Sequence, residues 1–174
     1  ISTMSDVLGD TTHLHQHRID FNAVHTIVGA SSHGSFRLVD SSGLRHLLSS
    51  RASVKIVSQS LTCQVIGPAS ADKAVSIHVA VIPATATGHP TSEAQILTIG
   101  GSAYAQHSLY VGALAVPLAF STEVAHQIKP APVVGEPPLV VYVCTITGGT
   151  NSDKAYLRIS GTIEVDGIGY VQPW

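Results

Sequence analysis

The stretch Leu157-Arg158-Ile159-Ser160-Gly161-Thr162-Ile163-Glu164-Val165 decides the fold class. Leu157, Ile159, Ile163 and Val165 share one parity, and Arg158, Ser160, Thr162 and Glu164 share the other. Successive side chains of a strand point to opposite faces, so one face here is apolar and the other polar. A strand of this kind belongs in an antiparallel sheet that lays one face on a core and the other toward water.

The same reading extends outward. Residues 54–66 place Val57, Leu61, Cys63 and Val65 on one parity and Ser58, Ser60, Thr62 and Gln64 on the other, before Gly67-Pro68 ends the run. Residues 73–82 set Val75, Ile77, Val79 and Val81 against Ser76 and His78, closed by Pro83. Residues 139–147 are nearly all apolar, which predicts a strand covered on both faces. Residues 108–116 read as a further hydrophobic strand ending at Pro117, and 94–99 as a short strand or turn before Gly100-Gly101. Residues 19–28 and 35–39 read as irregular or bulged strands interrupted by Gly29 and Gly34.

Helical signals are short. Asp40 or Ser41 caps a helix over 42–49, with Leu44, Leu47 and Leu48 on one face. Residues 121–127 suit one or two helical turns. Residues 129–138 carry prolines at 130, 132, 137 and 138 and must form an extended connection. The expectation is an all-β, eight-stranded antiparallel sandwich or jelly roll with short helical inserts, rather than a closed ligand barrel. Residues 1–30 are expected as an N-terminal arm, partly extended, and 31–174 as the sandwich domain.

Composition narrows the function. Only 11% of the 174 residues are charged, well below the ~25% of ordinary soluble domains. Such a surface suits a chain covered by partners. Net charge is -2 with histidine neutral, and protonating all ten histidines would carry it to +8. No Lys- or Arg-rich arm is present to neutralise nucleic acid outright. Arg18, Arg37, Arg45, Arg51 and Lys55 against Asp6, Asp10, Asp20 and Asp40 leave the first third modestly basic, either a phosphate-facing patch or solvated loop charge. Cys63 and Cys144 fall in strands and read as buried thiols, with a bridge the alternative. No basic region followed by an apolar run opens the sequence, and no run of ~18 apolar residues is found, so neither a signal peptide nor a membrane span is expected.

Catalytic patterns are missing. Neither G-x-S-x-G nor H-E-x-x-H occurs, and Gly100-Gly101-Ser102 lacks the Walker lysine and reads as a turn. His46, His89 and His107 have no evident partners in sequence. No enzyme is expected and no cofactor is required. His13, His15 and His17 form the densest polar cluster. On an extended segment three imidazoles share a side, which suits Zn²⁺ or Ni²⁺, but a fourth ligand and a fixed framework are absent. With Arg18, and protonated, they instead suit phosphate, or simply a polar terminus.

Ser35-Phe36-Arg37-Leu38-Val39-Asp40, Val81-Ile82-Pro83-Ala84, Ile99-Gly100-Gly101, Leu114-Ala115-Val116-Pro117-Leu118 and Ile159-Ser160-Gly161-Thr162-Ile163 follow one another in an order that resembles tymovirus and tymovirus-like coat proteins. The resemblance spans residues 35–165. It implies an eight-stranded jelly roll that assembles, as many copies in pentamers and hexamers of a T=3 icosahedral shell, around positive-strand genomic RNA. It further implies a virion protein of a plant virus, assembled in the host cytoplasm, bound weakly to RNA without sequence preference and assisted by polyamines or divalent cations. The His-rich opening and the tail ending at Trp174 depart from the family pattern. The rival expectation is a cellular β-sandwich module for carbohydrate or peptide. It needs an exposed aromatic groove, and the aromatic residues do not cluster in sequence.

Overall fold

A computed structural model describes residues 16–40, 53–56, 60–83, 86, 88–119 and 139–166. Among these the strands are β1 (Gln16–Val28), β2 (Ser31–Arg37), β3 (Ser53–Ile56), β4 (Ser60–Ile66), β5 (Ala74–Ile82), β6 (Ala103–His107), β7 (Val116–Ala119), β8 (Leu139–Thr147) and β9 (Lys154–Asp166). A 3-10 turn follows β2 at Leu38–Asp40, and one short helix, α1, spans Glu93–Leu97.

The strands form two sheets, ordered β1-β9-β4-β7 and β2-β8-β5-β6, with β3 also pairing with β9. β3 and β4 lie one after the other along the same edge of β9. Between Ile56 and Thr62 the chain advances six residues, while their partners on β9, Ile163 and Ser160, are three apart. They therefore act as one interrupted strand, and each sheet holds four strand positions. Every pairing is antiparallel. The pairs β1·β9, β2·β8, β4·β7 and β5·β6 are nested, like one long hairpin closed at the β5–β6 connection. Rolling that hairpin brings β9 against β4 and β8 against β5, which is the jelly roll.

Parity drives the packing. Ala155, Leu157 and Ile159 of β9 have no exposed surface, whereas Tyr156 between them is 42% exposed. Leu61, Cys63 and Val65 of β4 and Val75, Ile77 and Val79 of β5 meet them in the core between the sheets. Each such aliphatic side chain stabilises the fold by roughly 1.5–3 kcal/mol relative to exposure. Gly161 interrupts the apolar parity for a steric reason: a Cβ there would lie 2.5 Å from Leu61 Cδ2 and 3.2 Å from the Phe21 ring. β8 is buried on both faces, as its composition predicts. Val140, Tyr142, Cys144 and Ile146 face the main core, and Val141 and Val143 face a second cluster built with Ala80, Ile82 and Ile96 of α1.

Three expectations are corrected. Residues 94–99 are mostly helix, because Ser92 Oγ accepts the Gln95 N–H at 3.3 Å and Gln95 Oε1 accepts the Thr91 N–H at 2.7 Å. Those caps favour one helical turn that buries Ile96 alone. Residues 108–115 are not strand: Ser108 and Val111 close a turn, and the strand begins at Val116 and runs through Pro117. Proline is tolerated there because β7 is an edge. Finally, β1 is regular, pairing with β9 residue for residue over its whole length, and Gly34 lies inside β2 opposite Tyr142.

Cys63 and Cys144 are free and fully buried, and burial pushes both thiols up to about 11. Of the span 1–30 expected as an arm, residues 16–28 are β1. The helices expected at 42–49 and 121–127, the proline-bearing 129–138 and the tail after residue 166 lie outside the described residues. No helix among the described residues is long and apolar enough to cross a membrane.

Candidate functional site

Among the described residues, two sheet faces and the edges between them are the surfaces available for function. His13 and His15 lie outside the described residues. His17 and Arg18 are in β1, at register with Val165 and Glu164 of β9. Of the expected basic patch, Arg37 is already partnered, its Nε donating to Asp40 Oδ2 at 2.6 Å. Lys55 in β3 sits opposite Glu164. Arg45, Arg51 and His46 lie outside the described residues.

The outer face of the β2-β8-β5-β6 sheet carries a row that spans all four strands: His33, Val143, His78 and Tyr104. The His78 and Tyr104 rings lie 4.9 Å apart, and His78 Nδ1 is buried with no hydrogen-bond partner. His89 Nδ1 is 3.4 Å from Ser35 Oγ, and His107 Nδ1 accepts the Gly67 N–H at 3.2 Å. These histidines are spread over the fold. Among the described residues no three His, Cys, Asp or Glu side chains gather to hold a metal ion.

The outer face of the other sheet has a shallow depression of about 290 Å³ lined by Asp20, Asn22, Thr62, Ser160 and Thr162. Its polar groups satisfy one another: Thr162 Oγ1 donates to Asp20 Oδ1 at 2.7 Å and Ser160 Oγ to Asn22 Oδ1 at 2.6 Å. The aromatic residue lining it, Phe21, is only 6% exposed, so it offers no stacking platform for a sugar. No histidine lines it.

The third surface escaped the sequence reading. β6 and β7 are the edges of their sheets on the same side of the sandwich. The loop between them exposes Leu109, Tyr110 and Leu114, and Tyr104 stands beside it on β6. Tyr104 and Leu114, ten residues apart, thus share one edge with the exposed Tyr110 between them in the chain. One signal could have marked this edge: residues 94–122 contain no Asp, Glu, Lys or Arg.

No family model and no curated protein sequence matches the chain. Its fold is nevertheless shared with solved virus structures. A chain of Desmodium yellow mottle tymovirus superposes with a TM-score of 0.68 at 16% identity, covering 91% of this chain and 84% of that one. Turnip yellow mosaic virus gives 0.64 at 14% identity, covering 87% and 93%. Cocksfoot mottle virus gives 0.58 at 11% identity, covering 87% and 96%. At these identities the likeness establishes a common jelly-roll fold.

Proposed function

We propose that this chain is a viral coat protein whose copies lock into a small icosahedral shell around positive-strand RNA. The observation that carries the reading is the nested two-sheet topology, shared along nearly the full length of chains from small virus particles. The low charge and the apolar β6–β7 edge support it, because a shell subunit buries much of its outside against its neighbours. The chain's work is structural rather than enzymatic, with no resident cofactor. The tymovirus-like version of the reading adds a T=3 plant-virus particle built of pentamers and hexamers and assembled in the host cytoplasm. Polyamines or divalent cations inside it would help neutralise the RNA.

In this reading residues 1–30 open toward the interior, and His13, His15, His17 and Arg18 touch RNA phosphates without reading sequence. The test is size by light scattering together with the ratio of absorbance at 260 and 280 nm. A megadalton particle rich in nucleic acid is expected. A lasting 18.1 kDa monomer that takes up sugar or peptide would instead establish the β-sandwich binding module. Crosslinks from packaged RNA are expected on the segment holding His13 to Arg18, and crosslinks confined to the β6–β7 edge would reject that assignment.

A further inference from the structure

The β6–β7 edge carries an apolar projection and an apolar groove side by side. The projecting loop is fastened from beneath. The Ser108 N–H donates to the Val111 carbonyl at 2.8 Å, and Gln64 Nε2 donates to the Ala113 carbonyl. Despite that anchoring, Tyr110 is 91% exposed and Leu114 67%. Next to the loop, Tyr104, Val111, Leu114 and Val116 line a groove of about 130 Å³. Both features fall within the charge-free span 94–122, whose one histidine, His107, is engaged with Gly67. A fixed, exposed aromatic residue in a charge-free stretch of chain is what a monomer's surface avoids.

Building on the shell reading, we propose that the Tyr110 loop of one copy seats in the β6–β7 groove of the next copy. Projection and groove are different patches of the same chain, so Tyr110 of one copy meets Tyr104 and Leu114 of the other rather than its own counterpart. The area fits a second copy. An aromatic side chain buries roughly 150–250 Å², so Leu109 and Tyr110 of one copy with Tyr104 and Leu114 of the other offer on the order of 500 Å², about a third of the ~1,600 Å² total of a stable interface and enough for its apolar centre. The two surfaces also match in charge, since neither carries any. A sugar would need free polar groups converging on the groove. Gln106, on its rim, already accepts the Tyr104 O–H through Oε1 at 3.3 Å.

The experiment compares assembly of the full-length chain with Tyr110→Asp and with Val24→Asp, a control on the exposed outer face of the other sheet. Tyr110→Asp is expected to raise the concentration needed for assembly at least about tenfold, as a central aromatic anchor does. Its melting temperature should equal that of the unassembled wild-type chain, because an exposed side chain supports no core. Val24→Asp is expected to assemble normally. Single variants Tyr110→Cys and Leu114→Cys, mixed and oxidised, should give a disulfide-linked dimer that neither gives alone. Wild-type-like assembly of Tyr110→Asp, or a dimer formed by Tyr110→Cys alone, would overturn the contact while leaving the shell standing. A wild-type chain that stays monomeric throughout would overturn both.

Discussion

His25 Nε2 lies 3.3 Å from the Tyr142 hydroxyl, joining β1 of one sheet to β8 of the other across the sandwich. The imidazole also stacks on Phe36, with centroids 4.3 Å apart and planes within 8°. Tyr142 reaches this position over Gly34, where a Cβ would come within 2.8 Å of its hydroxyl. Burial holds the His25 pKa below its ordinary value of 6.5. Tyr142 is the titratable group beside it, and burial raises its pKa, so it stays neutral near pH 7. The unfolded chain therefore binds a proton near pH 6.5 that the folded chain refuses. Stability from this group is complete above about pH 6.5, falls as pH drops through that value, and levels off below the folded pKa. Thermal melts between pH 8 and 5 should show this decline, and His25→Phe should flatten it. Asp72 and Asp153, whose pKa values lie below 3.8, act only in a more acidic window.

Gly161 should tolerate no side chain. A methyl group would press on Leu61 and the Phe21 ring, so Gly161→Ala is expected to destabilise by about 1–3 kcal/mol in urea unfolding. Leu157→Ala, which opens a cavity in the same core, is expected to cost about 2–5 kcal/mol. A Gly161→Ala variant as stable as wild type would mean that the sheets are set wider apart there.

The β8–β9 turn is held mainly by Asp153. Its carboxylate accepts the Thr150 N–H at 2.7 Å and the Lys73 ammonium at 3.0 Å, which hold its pKa down. Removing Lys73 loses a partly exposed ion pair, whereas removing Asp153 also frees the turn's backbone. Lys73→Ala should therefore shift the melting temperature less than Asp153→Ala. The opposite order in a melting comparison would contradict this assignment.

Cys63 and Cys144 should resist alkylation. Both thiols are buried and held protonated, with pKa values of about 11, so maleimide at pH 7 should label them only after unfolding. Reductant should leave the melting temperature unchanged. Rapid labelling of the native chain would show that the core opens far more readily than its packing implies.

The strands that announced themselves in the sequence are those whose two faces meet different surroundings. β9 sets core against solvent on its inward and outward parities, β5 sets core against part-exposed polar residues only as far as His78, and β8 is apolar on both because Ile96 covers its outer face together with Ala80 and Ile82 of β5. β1 was obscured by His25 on its inward face and by Val24 and Val28, 45% and 53% exposed, on its outer one. Hydrophobicity misled over 108–116, where Tyr110 and Leu114 are apolar yet exposed. Strand order was illegible because it depends on pairings such as Gln64 with Arg158, far apart in the chain. The β6–β7 edge was hidden for a local reason: Tyr104 and Leu114, ten residues apart, share a groove because the chain turns at Ser108–Val111 between them.

The most direct test of the central claim is electron cryo-microscopy of the purified, nuclease-treated protein. The account predicts closed particles of icosahedral symmetry that retain protected RNA, with the β6–β7 edge at contacts between copies. A field of separate 18.1 kDa chains at assembly concentrations, free of RNA, would contradict it.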